Sequence, residues 1–92
     1  MSNTVVYKAN PVISFKDEGE EGAVLYNPDT DKAIIINSVG AAIWRFIESP
    51  HSFKEIASML VNNFSGVDIE QAQKDVDQFI SSFEKGFIDE IS

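Results

Sequence analysis

The sequence contains no cysteine, which excludes disulfide bonds, thiolate metal ligands, iron–sulfur clusters and cysteine nucleophiles. It has one histidine, so no second imidazole is available to share a metal ion. Basic residues are also scarce, because seven Lys and Arg stand against fifteen Asp and Glu, for a net charge of −8. Nucleic acids and anionic membranes are therefore not expected as partners.

Long apolar runs are missing as well. No stretch approaches the roughly eighteen apolar residues of a membrane-spanning helix, and the first eight residues lack the apolar segment of a signal peptide. We therefore expect neither a membrane span nor secretion, and a cytoplasmic location fits the absence of cysteine.

What is present is an ordinary globular composition, with 43% hydrophobic and 24% charged residues. At 92 residues, the chain is expected to form a single domain with one core. We place that core at residues 12–90, which leaves residues 1–10 as a candidate flexible arm.

The apolar pattern changes from strand-like to helix-like near Asn37 and predicts an α+β fold. Three antiparallel strands are expected at residues 12–16, 22–26 and 32–36, separated by loops rich in Gly, Asp, Asn and Pro. A three-helix bundle follows this small N-terminal sheet. The order as a whole is winged helix-turn-helix-like.

Each predicted helix begins at a residue that can cap it. The expected caps are Asn37 or Ser38 for the first helix, a Ser52–Glu55 capping box for the second and an Asp68–Gln71 capping box for the third. The third helix should carry Lys85 in its last turn and end at Gly86. Gly40 falls early in the first helix, where glycine costs roughly 1 kcal/mol relative to alanine, and this favours close packing against another backbone.

No set of catalytic residues is found, so the chain is not expected to be an enzyme or to hold a cofactor or metal. His51 is interpreted as a surface loop residue, and Ser52 is explained by its capping position. The acidic loop at 17–21 and the pair Asp29 and Asp31 lack the ligand spacing of a calcium loop. DNA binding is disfavoured, because residues 68–85 of the third helix carry two positive charges (Lys74 and Lys85) and five negative ones (Asp68, Glu70, Asp75, Asp77 and Glu84).

Several segments, taken in order, resemble the PqqD-like family. Residues 34–44, Ile-Ile-Ile-Asn-Ser-Val-Gly-Ala-Ala-Ile-Trp, resemble its "leucine-asparagine, then alanine-alanine-isoleucine-tryptophan" junction. The match there is carried by Asn37, Ala41, Ala42, Ile43 and Trp44. Residues 53–56 resemble its "threonine-x-glutamate-isoleucine" helix start, with Phe53 departing from it. Residues 75–80 resemble its "aspartate-valine-x-x-phenylalanine-leucine" stretch, and residues 85–88 its closing glycine motif.

The resemblance, which spans residues 12–90, implies a function. Members of such families recognise ribosomally synthesised, post-translationally modified peptides. They bind the leader of a precursor peptide without catalysis and hand it to a modifying enzyme, often a radical S-adenosylmethionine enzyme. Pyrroloquinoline quinone, lasso-peptide and mycofactocin pathways all use similar domains, and no residue here decides between them.

The resemblance also implies a site, in which the leader pairs with the third strand and faces the third helix. The peptide-binding residues implied in this way are Lys32, Ala33, Ile34, Ile35, Ile36, Asp75, Val76, Phe79, Ile80 and Phe83. The residues agree with this, because an isoleucine-rich edge strand is a template for strand addition. The sequence does not determine which face of that strand points inward.

Two other functions stay open on the sequence. The same strand edge could pair with a second copy of the chain, which would make the protein a homodimeric structural module. The other open function is a winged-helix DNA-binding regulator, which the negative charge of the third helix disfavours.

Overall fold

The computed structural model describes residues 5–83 and 86–91. These residues form β1 (Val6–Ala9), β2 (Ser14–Asp17), β3 (Ala23–Asn27), β4 (Lys32–Ile36), α1 (Ser38–Phe46), β5 (His51–Ser52), α2 (Phe53–Asn63), α3 (Ile69–Ser81) and β6 (Ile88–Ile91). A short 3₁₀ turn, Gly19–Glu21, lies between β2 and β3. The predicted α+β fold class is confirmed.

The described strands form two antiparallel three-stranded sheets, where the sequence predicted one. The sheet with strand order β2-β3-β4 is the predicted sheet, with β4 at its predicted bounds. The second sheet, in the order β5-β1-β6, joins segments from the start, middle and end of the chain. Strands of two to four residues show too little alternation to be recognised in a sequence, and here their partners are far apart.

The expectation of a flexible arm at residues 1–10 is wrong for the part that the structure describes. β1 pairs along its whole length with β6 and over two residues with β5. Ala9 is buried, and its N–H donates to the carbonyl of Ile47 at 2.7 Å. Asn10 then donates from Nδ2 to the carbonyl of Gly86 at 2.7 Å. Residues 1–4 lie outside the described residues.

The first two helices begin as predicted. The Asn37 side chain accepts a hydrogen bond from the Gly40 N–H at 2.8 Å and caps α1. In the capping box of α2, the Glu55 N–H donates to Ser52 Oγ at 3.2 Å, and the Ser52 N–H donates to Glu55 Oε1 at 2.9 Å. Local sequence chemistry therefore sets both helix starts.

The third helix agrees with the prediction at its start and is shorter at its end. Asp68 caps α3 by accepting from the Gln71 N–H at 2.8 Å, but Gln71 turns its side-chain amide toward the next turn instead of back to Asp68. α3 ends at Ser81, and Lys85, expected in its last turn, lies outside the described residues. Gly86 has φ +103°, a conformation that suits glycine. At 13 residues α3 is the longest described helix, and none of the described helices could cross a membrane.

The capping box of α2 offers a matched test of this local control. Replacing Ser52 with alanine should lower the free energy of unfolding by about 1 kcal/mol, because the Glu55 N–H at the helix start loses its acceptor, Ser52 Oγ. Ser58 lies exposed on the same helix, so Ser58→Ala should leave stability unchanged or raise it slightly. Urea unfolding of both variants checks this, and equal effects would contradict a capping role for Ser52.

The core lies between the two sheets and the helices. Its fully buried large side chains are Trp44, Phe87, Leu25, Ile43, Ile47, Ile56, Leu60, Val76 and Asn27. An aromatic cluster ties α3 to this core, because the ring of Phe83 lies 6.0 Å from Trp44, 4.7 Å from Phe79 and 5.5 Å from Phe87. These contacts pack the end of α3 against Trp44 of α1.

His51 is not the surface loop residue that the sequence suggested. It is partly buried in β5, and its ring stacks on Phe46 with centroids 3.7 Å apart. Its Nδ1 lies 2.9 Å from the carbonyl oxygen of Phe46 and 3.0 Å from that of Ser49. Since both partners are acceptors, Nδ1 carries the hydrogen, and the residue fixes the connection between α1 and α2.

Candidate functional site

β4 is an edge strand with one unpaired side. β3 pairs with it on one side, and within residues 5–83 and 86–91 no strand pairs on the other. Ile34 stands opposite Leu25 and Ile36 opposite Ala23, and both partners are buried, so Ile34 and Ile36 face the core. Ile35 points to the opposite face and is 81% exposed. The structure thus shows which face of β4 points to the core, a point that the sequence left open.

The hairpin that presents β4 is held by its turn. Asn27 is buried, and its Oδ1 accepts from the Asp29 N–H at 2.9 Å. The Tyr26 hydroxyl donates to Asp31 at 2.5 Å, and this hydrogen bond is the main reason that the pKa of Tyr26 is raised above its ordinary value. Asp31 itself has φ +57°, which an aspartate in a tight turn tolerates.

A groove of about 280 Å³ runs beside the unpaired edge of β4. It is lined by Ile35, Ile36, Asn37, Val39, Gly40, Ile43, Asp75, Gln78, Phe79 and Ser82. The residues from β4 and α1 form one side of the groove and its base, and those from α3 and from its C-cap, Ser82, form the other side. The α3 residues recur every three or four positions, so a single face of the helix forms this wall over about 10 Å.

Gly40 determines how closely the two sides of the groove approach. A Cβ at this position would lie 3.1 Å from Cβ of Ile36 and 3.1 Å from Cε1 of Phe79. Because glycine has no side chain, β4 and α3 can both pack over the first turn of α1. The sequence predicted close packing against a backbone here, and the structure places two side chains there instead.

The junction between β4 and α1 is supported from behind by the loop after β2. Gly22 has φ +108°, and a Cβ there would overlap the carbonyl oxygen of Ile36 and lie 2.8 Å from Cα of Asn37. Gly22, which directly follows the acidic loop at 17–21, thus contacts two residues that line the groove. This loop supports the site without forming its surface.

Asp75 is the only charged residue among the described residues that line the groove. It is partly buried, and its Oδ1 accepts a hydrogen bond from Nε2 of Gln71 at 2.9 Å. Gln78 and Ser82 continue this polar row along α3, while Phe79 provides the apolar part of the same wall. The groove therefore combines an apolar base with a polar wall that carries one negative charge.

The structure brings together some of the ten residues that the sequence singled out. Ile35, Ile36, Asp75 and Phe79 line the groove. Lys32 and Ala33 lie exposed on the same strand, and Ile34 faces the core. Val76 is fully buried, and Ile80 and Phe83 pack against the core, so these three do not form the groove surface. The contact of each residue with a peptide stays a prediction.

Six groove residues were not predicted as site residues, namely Asn37, Val39, Gly40, Ile43, Gln78 and Ser82. Two of them carried a signal, since Asn37 was recognised as a cap and Gly40 as an unfavourable helix residue. Helical spacing from Asp75 would have found Gln78 and Ser82 at three and seven residues further on. Val39 and Ile43 have the pattern of any core-facing helix residue, and nothing in the sequence separates them from the core.

A larger and shallower depression, of about 720 Å³, lies beside α2 and includes Phe46, His51 and Met59. The strand that borders it, β5, has two residues, and His51 and Ser52 already use their polar groups in hydrogen bonds within the chain. Within residues 5–83 and 86–91, no group of three His, Cys, Asp or Glu side chains is placed to hold a metal ion. The β4 groove is therefore the better candidate site.

Comparison with known proteins finds similarity to a family and to a solved structure. The family model described as "PqqD: Coenzyme PQQ synthesis protein D (PqqD)" matches residues 22–86, a range that includes every residue lining the groove. A solved structure, "Lasso peptide synthetase B1 complexed with the leader peptide", is similar with a TM-score of 0.70 and 20% sequence identity, over 94% of this chain and 98% of that one. At this identity the likeness shows the fold. No curated protein matches the sequence at a significant level.

Proposed function

Because this chain belongs to the PqqD family, we propose that it binds the leader of a ribosomally made precursor peptide and presents it to a modifying enzyme. The leader would add to the β2-β3-β4 sheet as a fourth strand, paired with β4. The observation that carries the proposal is the unpaired β4 edge, open beside a groove whose far wall is α3. The likeness in fold to lasso peptide synthetase B1, whose solved structure is a complex with the leader peptide, supports the proposal.

The backbone of β4 and the side chains of the groove would have different roles in binding. A hydrogen bond between backbones contributes about 0.5–1.5 kcal/mol net, which is of the same order as the entropy lost by ordering one peptide residue. Strand pairing therefore orients the peptide along β4 and adds little net affinity, while side-chain contacts set its register. Affinity would come from apolar peptide side chains that cover Ile35, Val39 and Phe79, at roughly 25 cal/mol per Å² of surface removed from water.

We propose that the chain contributes no catalytic group to the modification. The polar side chains with catalytic potential are used structurally, since His51 Nδ1 contacts two carbonyl oxygens and Ser52 Oγ caps α2. The chemistry would belong to the partner enzyme, and the family resemblance makes a radical S-adenosylmethionine enzyme the first class to test. The partner supplies the cofactor in this scheme.

A titration followed by NMR tests the proposal. A short open reading frame encoded beside the gene supplies the candidate leader, which is added to isotopically labelled protein. We expect amide shifts in two places, along Lys32–Ile36 and along the α3 wall from Asp75 to Ser82, because these border the groove. The amides of α2 that border the larger depression, from Lys54 to Asn63, serve as the internal control and should not move.

The exposed β4 edge would also serve for pairing between two copies of the chain, and the 81% exposure of Ile35 favours this second candidate. Sedimentation at several protein concentrations distinguishes the two. A monomer whose β4 amide signals shift only when leader is added supports peptide recognition. A concentration-dependent dimer that shows the β4 shifts without any peptide would contradict it in favour of self-pairing.

A further inference from the structure

The one charged side chain that the described residues place in the groove gives it a chemical preference. We propose that the groove selects a peptide strand with a lysine or arginine side chain in register with Asp75. This inference rests on the proposed leader binding, because it concerns which leaders the same site accepts. It makes Asp75 a specificity-determining residue.

The carboxylate of Asp75 has unused capacity for hydrogen bonds. Oδ1 accepts from Gln71, and Oδ2 has neither a hydrogen-bond donor nor a cation among the described residues. Both ion pairs found in the described part of the chain, Lys16–Glu18 and Arg45–Asp17, lie on or near the β2–β3 loop and leave the groove uncompensated. The groove thus presents a negative charge with which no cation of the described residues forms an ion pair.

Strand addition would lower the affinity of the groove for peptides that have no basic side chain at Asp75. A fourth strand beside β4 covers the groove and removes water from Asp75, which is already partly buried. A carboxylate that loses water without gaining a partner destabilises the complex. A peptide ammonium or guanidinium group at this point offsets that cost, whereas a neutral side chain does not and an acidic one adds repulsion.

The spacing of Asp75 and Phe79 on α3 predicts how far apart a basic and an apolar residue should be in the bound peptide. Asp75 and Phe79 are one helical turn apart, a rise of about 6 Å along the axis. Side chains on one face of a strand recur at about 6.7 Å. A peptide lying along α3 with its basic residue at Asp75 therefore places the residue two positions away against Phe79. We expect a basic residue and an apolar residue separated by one position.

Selection from a display library of random peptides tests this without knowledge of the natural leader. The immobilised full chain should enrich peptides with Lys or Arg two positions from an apolar residue. Asp75→Asn keeps an oxygen for Gln71 and should lose the basic preference, while Asp75→Lys should select Asp or Glu at that position. Replacing the basic residue of a selected peptide with Gln should weaken binding to the wild type about five- to tenfold and leave binding to Asp75→Asn unchanged.

Asp77 provides the matched control. It lies on the same helix and carries the same charge but does not line the β4 groove. Asp77→Asn should change the affinity of the selected peptide less than about twofold at physiological salt. A loss as large as that of Asp75→Asn would overturn the local contact in favour of general attraction by an acidic helix.

The remaining outcomes separate this inference from the proposed function. Selected peptides that require Ile35 but show no basic preference would overturn the role of Asp75 and leave leader binding standing. Selection that yields no peptide sensitive to a change at Ile35 would overturn both. Circular dichroism of each variant confirms that the fold is retained.

Discussion

Replacing Gly22 with alanine is expected to lower the free energy of unfolding by at least about 3 kcal/mol. The residue has φ +108° and ψ −130°, a region that side chains rarely adopt, and the added methyl group would overlap the carbonyl oxygen of Ile36. Relief requires the β4–α1 junction to move, because the crowded atoms belong to the backbone. Urea unfolding measures the loss, which is a large part of the stability of a domain of this size.

Gly19→Ala separates the two causes of the lost stability, which are the positive φ and the overlap of the added methyl group with β4. Gly19 also has a positive φ, of +68°, but a Cβ there would meet no atom within 4 Å. Gly19→Ala should therefore cost only the backbone term, about 1 kcal/mol. Equal losses for the two variants would contradict the close approach of Gly22 to β4. A Gly22→Ala protein that folds should also bind leader more weakly, since Ile36 and Asn37 line the groove.

Replacing Ile35 with glutamine is expected to weaken leader binding about tenfold or more while leaving the domain intact. The side chain is 81% exposed in the free chain, so its removal costs the fold little. In the complex it would be covered by the added strand, and covering an isoleucine contributes about 1.5–3 kcal/mol. Isothermal titration calorimetry measures the binding, and urea unfolding measures the stability.

Ile91 is the control for this substitution. It is also an exposed isoleucine on a strand, at 43%, but it pairs with Val6 in the other sheet. Ile91→Gln should leave leader affinity within about twofold of the wild type, because Ile91 does not line the groove and belongs to a different sheet. If the two variants lose equal affinity, or if Ile35→Gln alone unfolds the domain, the assignment of the β4 edge as the binding surface is wrong.

The features that the sequence predicted well are those set by neighbouring residues. The Asn37 cap, the Ser52–Glu55 capping box and the bounds of β4 each depend on a few adjacent side chains and were confirmed. The family resemblance came from short linked motifs and was confirmed over residues 22–86. These properties can be predicted from the sequence because local hydrogen bonds and turn preferences act over three or four residues.

The features that it missed depend on residues that meet only in the folded chain. Residues 1–10 were expected to be a flexible arm. The pairing of β1 was missed because its partners, β5 and β6, lie about forty to eighty residues further along the chain. Val76 was implied as a site residue by the family resemblance, yet it is fully buried in the core. Helical spacing shows which residues share a face and not what that face packs against.

The sequence by itself determined the fold class, the helix starts, the acidic character and the family of this protein, because composition and local chemistry carry them. Only the tertiary structure decided which face of β4 is open, that Gly40 lets β4 and α3 approach each other, and that Asp75 is the charge left in the groove. The physical reason is that a groove is a space between elements. Its width and charge are set by how strand and helices pack against one another, and no single segment contains that information.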